Sequence, residues 1–201
     1  LVFSGHKIFA PTGVGILYVK EDIDDSVSRV LKDLTGLSGV YMNQVKTFGD
    51  VGRHPLGRVF TVAYFSLLKI GDYQLNPSSF ATEAEWHSVS RIGELAFDHN
   101  KVLEKAINTL KRRVKYRPVG FELLPIKFTL LELQALYEAL LDYKFDKPNF
   151  RKKILSMDLL VQLDEVQANV SHRPAKLFQF DEMRYIELRK EGFAFDITVK
   201  G

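Results

Sequence analysis

Cysteine is absent from the 201 residues. Disulfides and thiol chemistry are therefore excluded, and the chain fits a reducing compartment. No apolar run is long enough to span a bilayer, and no cleavable signal pattern opens the chain. The expectation is a soluble, cytoplasmic protein with no membrane partner. A dominant charge is also lacking. With a formal net charge of only +3 the molecule is no polycation, so affinity for nucleic acid would have to come from local clusters. What remains is an ordinary globular composition, long enough for one large domain or two small ones, each with its own core.

The most informative stretch runs from Phe128 to Ser156. Thr129 followed by Glu132 is a capping-box pattern, in which each side chain satisfies a free backbone donor at a helix start. Leu130, Leu133, Leu136, Tyr137, Leu140 and Leu141 then recur at helical spacing. A second helix begins at Asp146, an N-cap residue, with Pro148 in the first turn, where its missing N–H costs nothing. On it Phe150 and Ile154 face inward, while Asn149, Lys152, Lys153 and Ser156 lie largely away, with Arg151 at the flank. Two outlines share this pattern: a helix-turn-helix whose second helix enters a DNA major groove, and a helical hairpin with a solvated basic face.

The residues beyond Ser156 favour the helix-turn-helix. Leu159 to Leu163, and Leu177, Phe178 and Phe180, suit two strands. The polar residues between them, with Arg173 and Lys176, form a hairpin whose cations point outward. Helix, basic helix and basic hairpin, in that order, make a winged helix.

Earlier in the chain, Ser4-Gly5-His6-Lys7 and then Pro11-Thr12-Gly13-Val14-Gly15-Ile16-Leu17-Tyr18 resemble the cofactor-lysine segment of cysteine desulfurases. The resemblance implies Lys7 as a Schiff-base lysine. The alternative is an extended strand and turn with Lys7 at the surface. A Schiff-base lysine works only inside a pocket that binds the cofactor's phosphate and pyridinium nitrogen. Nothing in the sequence supplies one, and no cofactor is expected.

From Gly15 a second pattern begins. Gly15, Glu21, Arg29, Leu31, Gly36 and Leu37 fall at the spacing of the Nudix box. Asp24 and Asp25 favour a helix start. Val27, Val30, Leu31 and Leu34 form its apolar stripe, and Gly36 ends it. In Nudix hydrolases the carboxylates of this helix hold Mg²⁺ against a diphosphate, since a hard cation needs several oxygen ligands. Here Val30 stands for the first glutamate, and Asp33 and Leu34 for the later pair. Two ligands have become hydrocarbon, so no metal site, no catalytic residue and no hydrolysis are expected. Tyr41 to Asp50 and Val59 to Leu68 read as strands around a Gly/Pro loop holding Arg53, His54 and Arg58. Ala84 to Val89 and Leu95 to His99 look like further strands and loops of ADP-ribose-type Nudix domains. His99 precedes the periodic run Val102, Leu103, Ile107, Leu110 and Val114 and reads as a helix-start or packing residue. Lys111-Arg112-Arg113 sits near that helix's C-terminus, where cations are favoured. Arg117-Pro118-Val119-Gly120 reads as a linker.

Taken in order, these segments are similar to the Nudix-related transcriptional regulators, from about Gly15 nearly to the end. The resemblance implies an α+β protein: a partial Nudix-like mixed sheet with helices, then a winged helix-turn-helix domain. The divisions are residues 1–19 for the desulfurase-like segment, 20–116 for a degenerate sensor domain and 117–201 for the DNA-binding domain. In that family the Nudix-like domain has lost hydrolysis and senses a small molecule, ADP-ribose in one branch and a sugar such as arabinose in others. The winged helix binds a palindromic operator as a dimer. DNA contacts are then assigned to Lys147, Asn149, Arg151, Lys152 and Lys153 on the second helix and to Arg173 and Lys176 on the wing. In the sensor half, Arg53 and Arg58 either contact an anionic or hydroxyl-rich effector or hold a loop salt bridge. The strands that normally precede the Nudix box are replaced by the desulfurase-like segment, which implies a sheet with unpaired edges. The alternative reading is a Nudix hydrolase acting on ADP-ribose-like diphosphates.

Overall fold

The computed structural model describes residues 2–9, 23–55, 57–78, 83–168, 170–171 and 173–198, with side chains from Asp25 onward. It divides into two compact units, Leu1–Thr109 and Leu110–Gly201. Gly15, Glu21 and the Lys7 side chain lie outside the described parts. Among the described residues no helix is long and apolar enough to cross a membrane.

In the first unit β1 (Val2–Phe9), β2 (Asn43–Phe48) and β3 (Val59–Ser66) form an antiparallel sheet in the order β1-β3-β2. As the middle strand, β3 is buried at Val59, Thr61 and from Ala63 to Ser66. The open edge expected from the missing family strands is covered on this side. The desulfurase-like segment supplies β1, paired with β3 from Val2 opposite Ser66 to Phe9 opposite Val59. Ladder pairing uses backbone groups alone, so an unrelated sequence can fill an edge if it is extended. Between Gln44 and Lys46 the β2–β3 register shifts by a bulge at Val45.

Helix α1 (Ile23–Thr35) buries Val27, Leu31 and Ser26. Val30 and Leu34, expected in the stripe, are only half-buried, because the core lies on the arc through Val27 and Leu31. Leu31 and Leu37 pack with Met42, Leu68, Leu75 and Trp86. Gly36 follows the helix at φ +79°, donating to the Lys32 carbonyl at 2.7 Å. A Cβ there would lie 2.5 Å from the Asn76 carbonyl oxygen, so conformation and space both require glycine. The expected strands between Ala84 and His99 do not form. The described part of that stretch carries one short 3₁₀ turn, Val89–Arg91. Asn100 takes up local backbone groups instead, accepting from Leu95 N–H at 2.7 Å and donating to the Gly93 carbonyl at 3.0 Å. Helix α2 (His99–Tyr116) then begins at His99 as the sequence suggests, and Val102 packs against Phe48 and Ala63.

The second unit holds the end of α2, then α3 (Leu130–Leu141), α4 (Lys147–Leu155), β4 (Leu160–Val166), β5 (Lys176–Phe180) and α5 (Glu182–Lys190). Leu133, Tyr137, Phe150, Ile154, Leu159, Phe178 and Ile197 form its core. Phe121 stacks on Phe180 at 4.3 Å between ring centroids, and Phe145 meets Phe150 at 5.2 Å. β4 and β5 make an antiparallel hairpin, and Phe128 adds a third short pairing through two hydrogen bonds with Phe178 of 2.9 and 2.8 Å. Helix, helix and hairpin with that extra bridge form a winged helix.

Candidate nucleic-acid interface

The interface is built from the turn outward. Thr129 caps α3 as its sequence implies: its Oγ1 accepts from Glu132 N–H at 3.2 Å, and Glu132 Oε2 accepts from Thr129 N–H at 2.7 Å. The helix ends at Asp142 in the left-handed region, φ +54°, beside Lys111 at 3.7 Å. What the sequence did not disclose is how the turn to α4 is fastened. Gln134, buried on the core side of α3, donates to Glu138 Oε1 at 2.9 Å and to the Phe145 carbonyl at 3.1 Å. Glu138 also accepts from Phe145 N–H at 3.0 Å and Lys144 Nζ at 2.8 Å. The Lys144 hydrogen bond, then those from Gln134 and Phe145, bring the Glu138 carboxyl down to about 2. A polar residue four positions before another on a helix was the available signal, but a glutamine on the apolar stripe reads as a break in pattern.

This turn aims α4. Asp146 Oδ1 accepts from Asn149 N–H at 3.0 Å, and Pro148 occupies the first turn. Phe150 and Ile154 are buried as expected, and Lys147, Asn149, Arg151 and Lys152 are exposed. Lys153 is half-buried; burial pushes the nearby Asp196 carboxyl up, but the hydrogen bonds from Thr198, with the charges of Lys153 and Lys115, hold it below the ordinary range. Among the described residues, none of Lys147, Arg151, Lys152 and Lys176 forms an ion pair. Arg173 and Lys176 are exposed on the wing. Lys147, Arg151, Arg173 and Lys176 are brought together. They border a cleft of about 360 Å³ between the start of α3, α4 and the hairpin, floored by Phe150 and Phe178. They gather positive charge around one concave surface, which Glu132 also borders, and the exposed amide of Asn149 lies on the same helix. Lys152 is not among the residues bordering the cleft.

The two sensor-half arginines differ. The Arg53 side chain is only 6% exposed and holds Asp98 by two bonds, Nε to Oδ2 at 2.8 Å and Nη2 to Oδ1 at 2.9 Å. Its Nη1 donates to the Phe48 carbonyl at 3.0 Å and to Thr61 Oγ1 at 2.7 Å. The loop salt bridge is therefore the alternative present at Arg53, and its donors are directed at the protein. Hydrogen bonding to Arg53 is the main force holding the Asp98 carboxyl below its usual range. Arg58 is exposed, with its guanidinium 5.1 Å from the Phe60 ring centroid. His54 and Phe97 lie at 4.5 Å, and Phe97 meets the His99 ring edge-on at 6.0 Å.

Comparison with known proteins places this geometry. Residues 120–180 match the NrtR DNA-binding winged helix domain, and residues 1–51 match the aminotransferase class-V family. The chain is 30% identical over 172 residues to the ADPR responsive transcriptional repressor NtrR of Acinetobacter baylyi, covering 85% of this chain and 68% of that one. It is 27% identical over 90 residues to the ADP-ribose pyrophosphatase of Methanocaldococcus jannaschii, 45% of this chain and 52% of that enzyme. The crystal structure of Shewanella oneidensis NrtR complexed with a 27mer DNA superimposes with a TM-score of 0.60 at 27% identity, over 80% of this chain and 74% of that one. A winged helix with a cationic cleft, preceded by a Nudix-like unit, identifies this chain as a member of the NrtR family of DNA-binding transcriptional regulators.

Proposed function

We propose that this chain is a non-catalytic repressor that binds a palindromic operator as a homodimer in the cytoplasm and responds to ADP-ribose. The observation that carries the reading is the grouping of Lys147, Arg151, Arg173 and Lys176 around one cleft of a winged helix. In this reading Asn149 reads base edges in the major groove, Lys152 and Lys153 hold phosphates, and Arg173 and Lys176 hold the backbone or minor groove. The DNA-binding domain starts at the Arg117-Pro118 linker. ADP-ribose is favoured over a sugar because the relative in Acinetobacter baylyi is described as ADPR responsive. Arg58 contacts the effector, and Arg53 acts through the loop it fastens to Asp98. Enrichment of duplexes from a random pool tests the reading: a two-fold symmetric site should emerge, and indifference to every duplex at low ionic strength would defeat it.

The likeness to an ADP-ribose pyrophosphatase supports a second reading, hydrolysis. Against it stand Val30 and Leu34 at positions where the Nudix helix needs carboxylates. Incubation with ADP-ribose and Mg²⁺ decides between them: unchanged ADP-ribose fits a sensor, and AMP with ribose 5-phosphate as products means an enzyme.

A further inference from the structure

The wing carries two acids where a hairpin that meets a polyanion would gain from cations. Asp164 and Glu165 are neighbours in β4, and both are exposed. Gln162 pairs with Phe178 and Val166 with Lys176, so Leu163, Asp164 and Glu165 stand against Leu177 alone. A bulge of this kind re-aims side chains. Here Glu165 meets Lys127, whose Nζ donates to both carboxylate oxygens, at 2.6 and 2.7 Å. Each partner flanks a residue tied to the cationic cleft. Val166, beside Glu165, pairs with Lys176, and Phe128, beside Lys127, bridges to Phe178; Lys176 and Phe178 both line the cleft. Lys147, Arg151 and Lys176 enter no ion pair among the described residues, whereas Lys127 is already engaged.

We propose that Glu165 restrains DNA binding: it holds Lys127 away from the duplex backbone and so limits the affinity that does not depend on sequence. The proposal rests on the reading of this cleft as the duplex-binding face and names a residue that works against it. Fold stability does not account for the pair. Its side chains are 48% and 56% exposed, and an exposed ion pair stabilises a fold little. The effect on a polyanion is larger and has a sign. A free lysine neutralises a phosphate and releases a counterion, whereas a lysine held on both oxygens of a carboxylate brings no net charge. Glu132, the acid that borders the cleft, is occupied differently: its Oε2 accepts from Thr129 N–H at 2.7 Å and from Thr129 Oγ1 at 2.9 Å, as part of the α3 cap. Binding to non-operator DNA is almost wholly electrostatic, so one cation withheld keeps the chain from being retained on unrelated sequence.

The full chain is titrated by anisotropy against a duplex selected from a random pool and against a scrambled duplex, over a range of salt. Glu165→Gln should tighten both about fivefold at about 0.1 M salt and steepen the slope of log affinity against log salt by about 0.9. Lys127→Met should weaken both and flatten the slope, because the carboxylate is left uncompensated. Combining the two changes should restore parental values, which the loss of a mere brace would not do. Asp164→Asn removes the same charge without releasing a lysine, and should move the slope less than Glu165→Gln. Thermal unfolding of each variant should stay close to the parent. Unaltered or weaker binding by Glu165→Gln would make the pair a bystander or a wing brace, and an equal gain from Asp164→Asn would leave net charge alone as the cause; either overturns the restraint while duplex binding stands. A parental chain that binds neither duplex would remove the duplex-binding face and the restraint with it.

Discussion

Lys152 and Asn149 share an exposed helix face, yet they are expected to fail in different ways when changed. In the proposed interface Lys152 offers a point charge to a phosphate and carries no sequence information. Lys152→Ala should weaken binding to all duplexes and reduce the slope of log affinity against log salt by about one, measured by anisotropy titration. An unchanged slope would make this face mere solvated surface. An amide can pair with an adenine edge through two hydrogen bonds. Asn149→Ala should therefore relax base preference, and a selection experiment returning the parental motif would contradict it. In the sensor half the consequence is structural. The Arg53 side chain is 6% exposed and its guanidinium is held by Asp98, so Asp98→Ala leaves a buried cation without its carboxylate. The loss should be about 3 kcal/mol, read by thermal unfolding. The sequence presented Arg53 and Arg58 as equivalents, because two arginines in one loop look alike until burial separates them.

At the scale of elements, caps and stripes were legible because they are local. The Thr129–Glu132 box, the Asp146 cap with Pro148, the Phe150–Ile154 pair and the Gly36 stop all derive from backbone donors and helical spacing. The tie between α3 and α4 was not, since Gln134 and Glu138 meet Phe145 only once the chain has turned. That tie has a pH signature. The Glu138 carboxyl falls from an ordinary 4.5 to about 2 on folding, so the unfolded chain binds the proton more readily. Its stabilisation is complete above about pH 4.5 and disappears as the pH approaches 2. Urea unfolding across that window should show Glu138→Gln less stable than the parent at neutral pH and equal to it at the acid end. A difference that persists at the acid end would mean that the side chain acts by packing and not by charge. The stretch from Ala84 to His99 failed for the opposite reason. Its likeness to the strands and loops of ADP-ribose-type Nudix domains suggested strands, but a strand needs a partner edge, and Asn100 satisfies part of this backbone instead.

At the scale of the whole molecule, a net charge of +3 gives no general attraction to DNA, so affinity depends on cations gathered in one place, and the proposed homodimer would present that group twice. Two chains per palindromic duplex are expected, with half-sites one helical turn apart or a multiple of it. Sedimentation of the complex checks this, and a single chain bound at saturation would contradict it. The sequence alone determined the order of units, the winged-helix outline and the loss of carboxylates at Val30 and Leu34, because composition, capping and periodicity act through neighbours along the chain. Only the tertiary structure decided that the desulfurase-like segment supplies a strand against β3, that Arg53 holds Asp98, and that cations separated by the whole α4–wing connection border one cleft. Each of those depends on where distant segments meet, which burial of apolar surface and pairing of backbone groups fix for the fold as a whole.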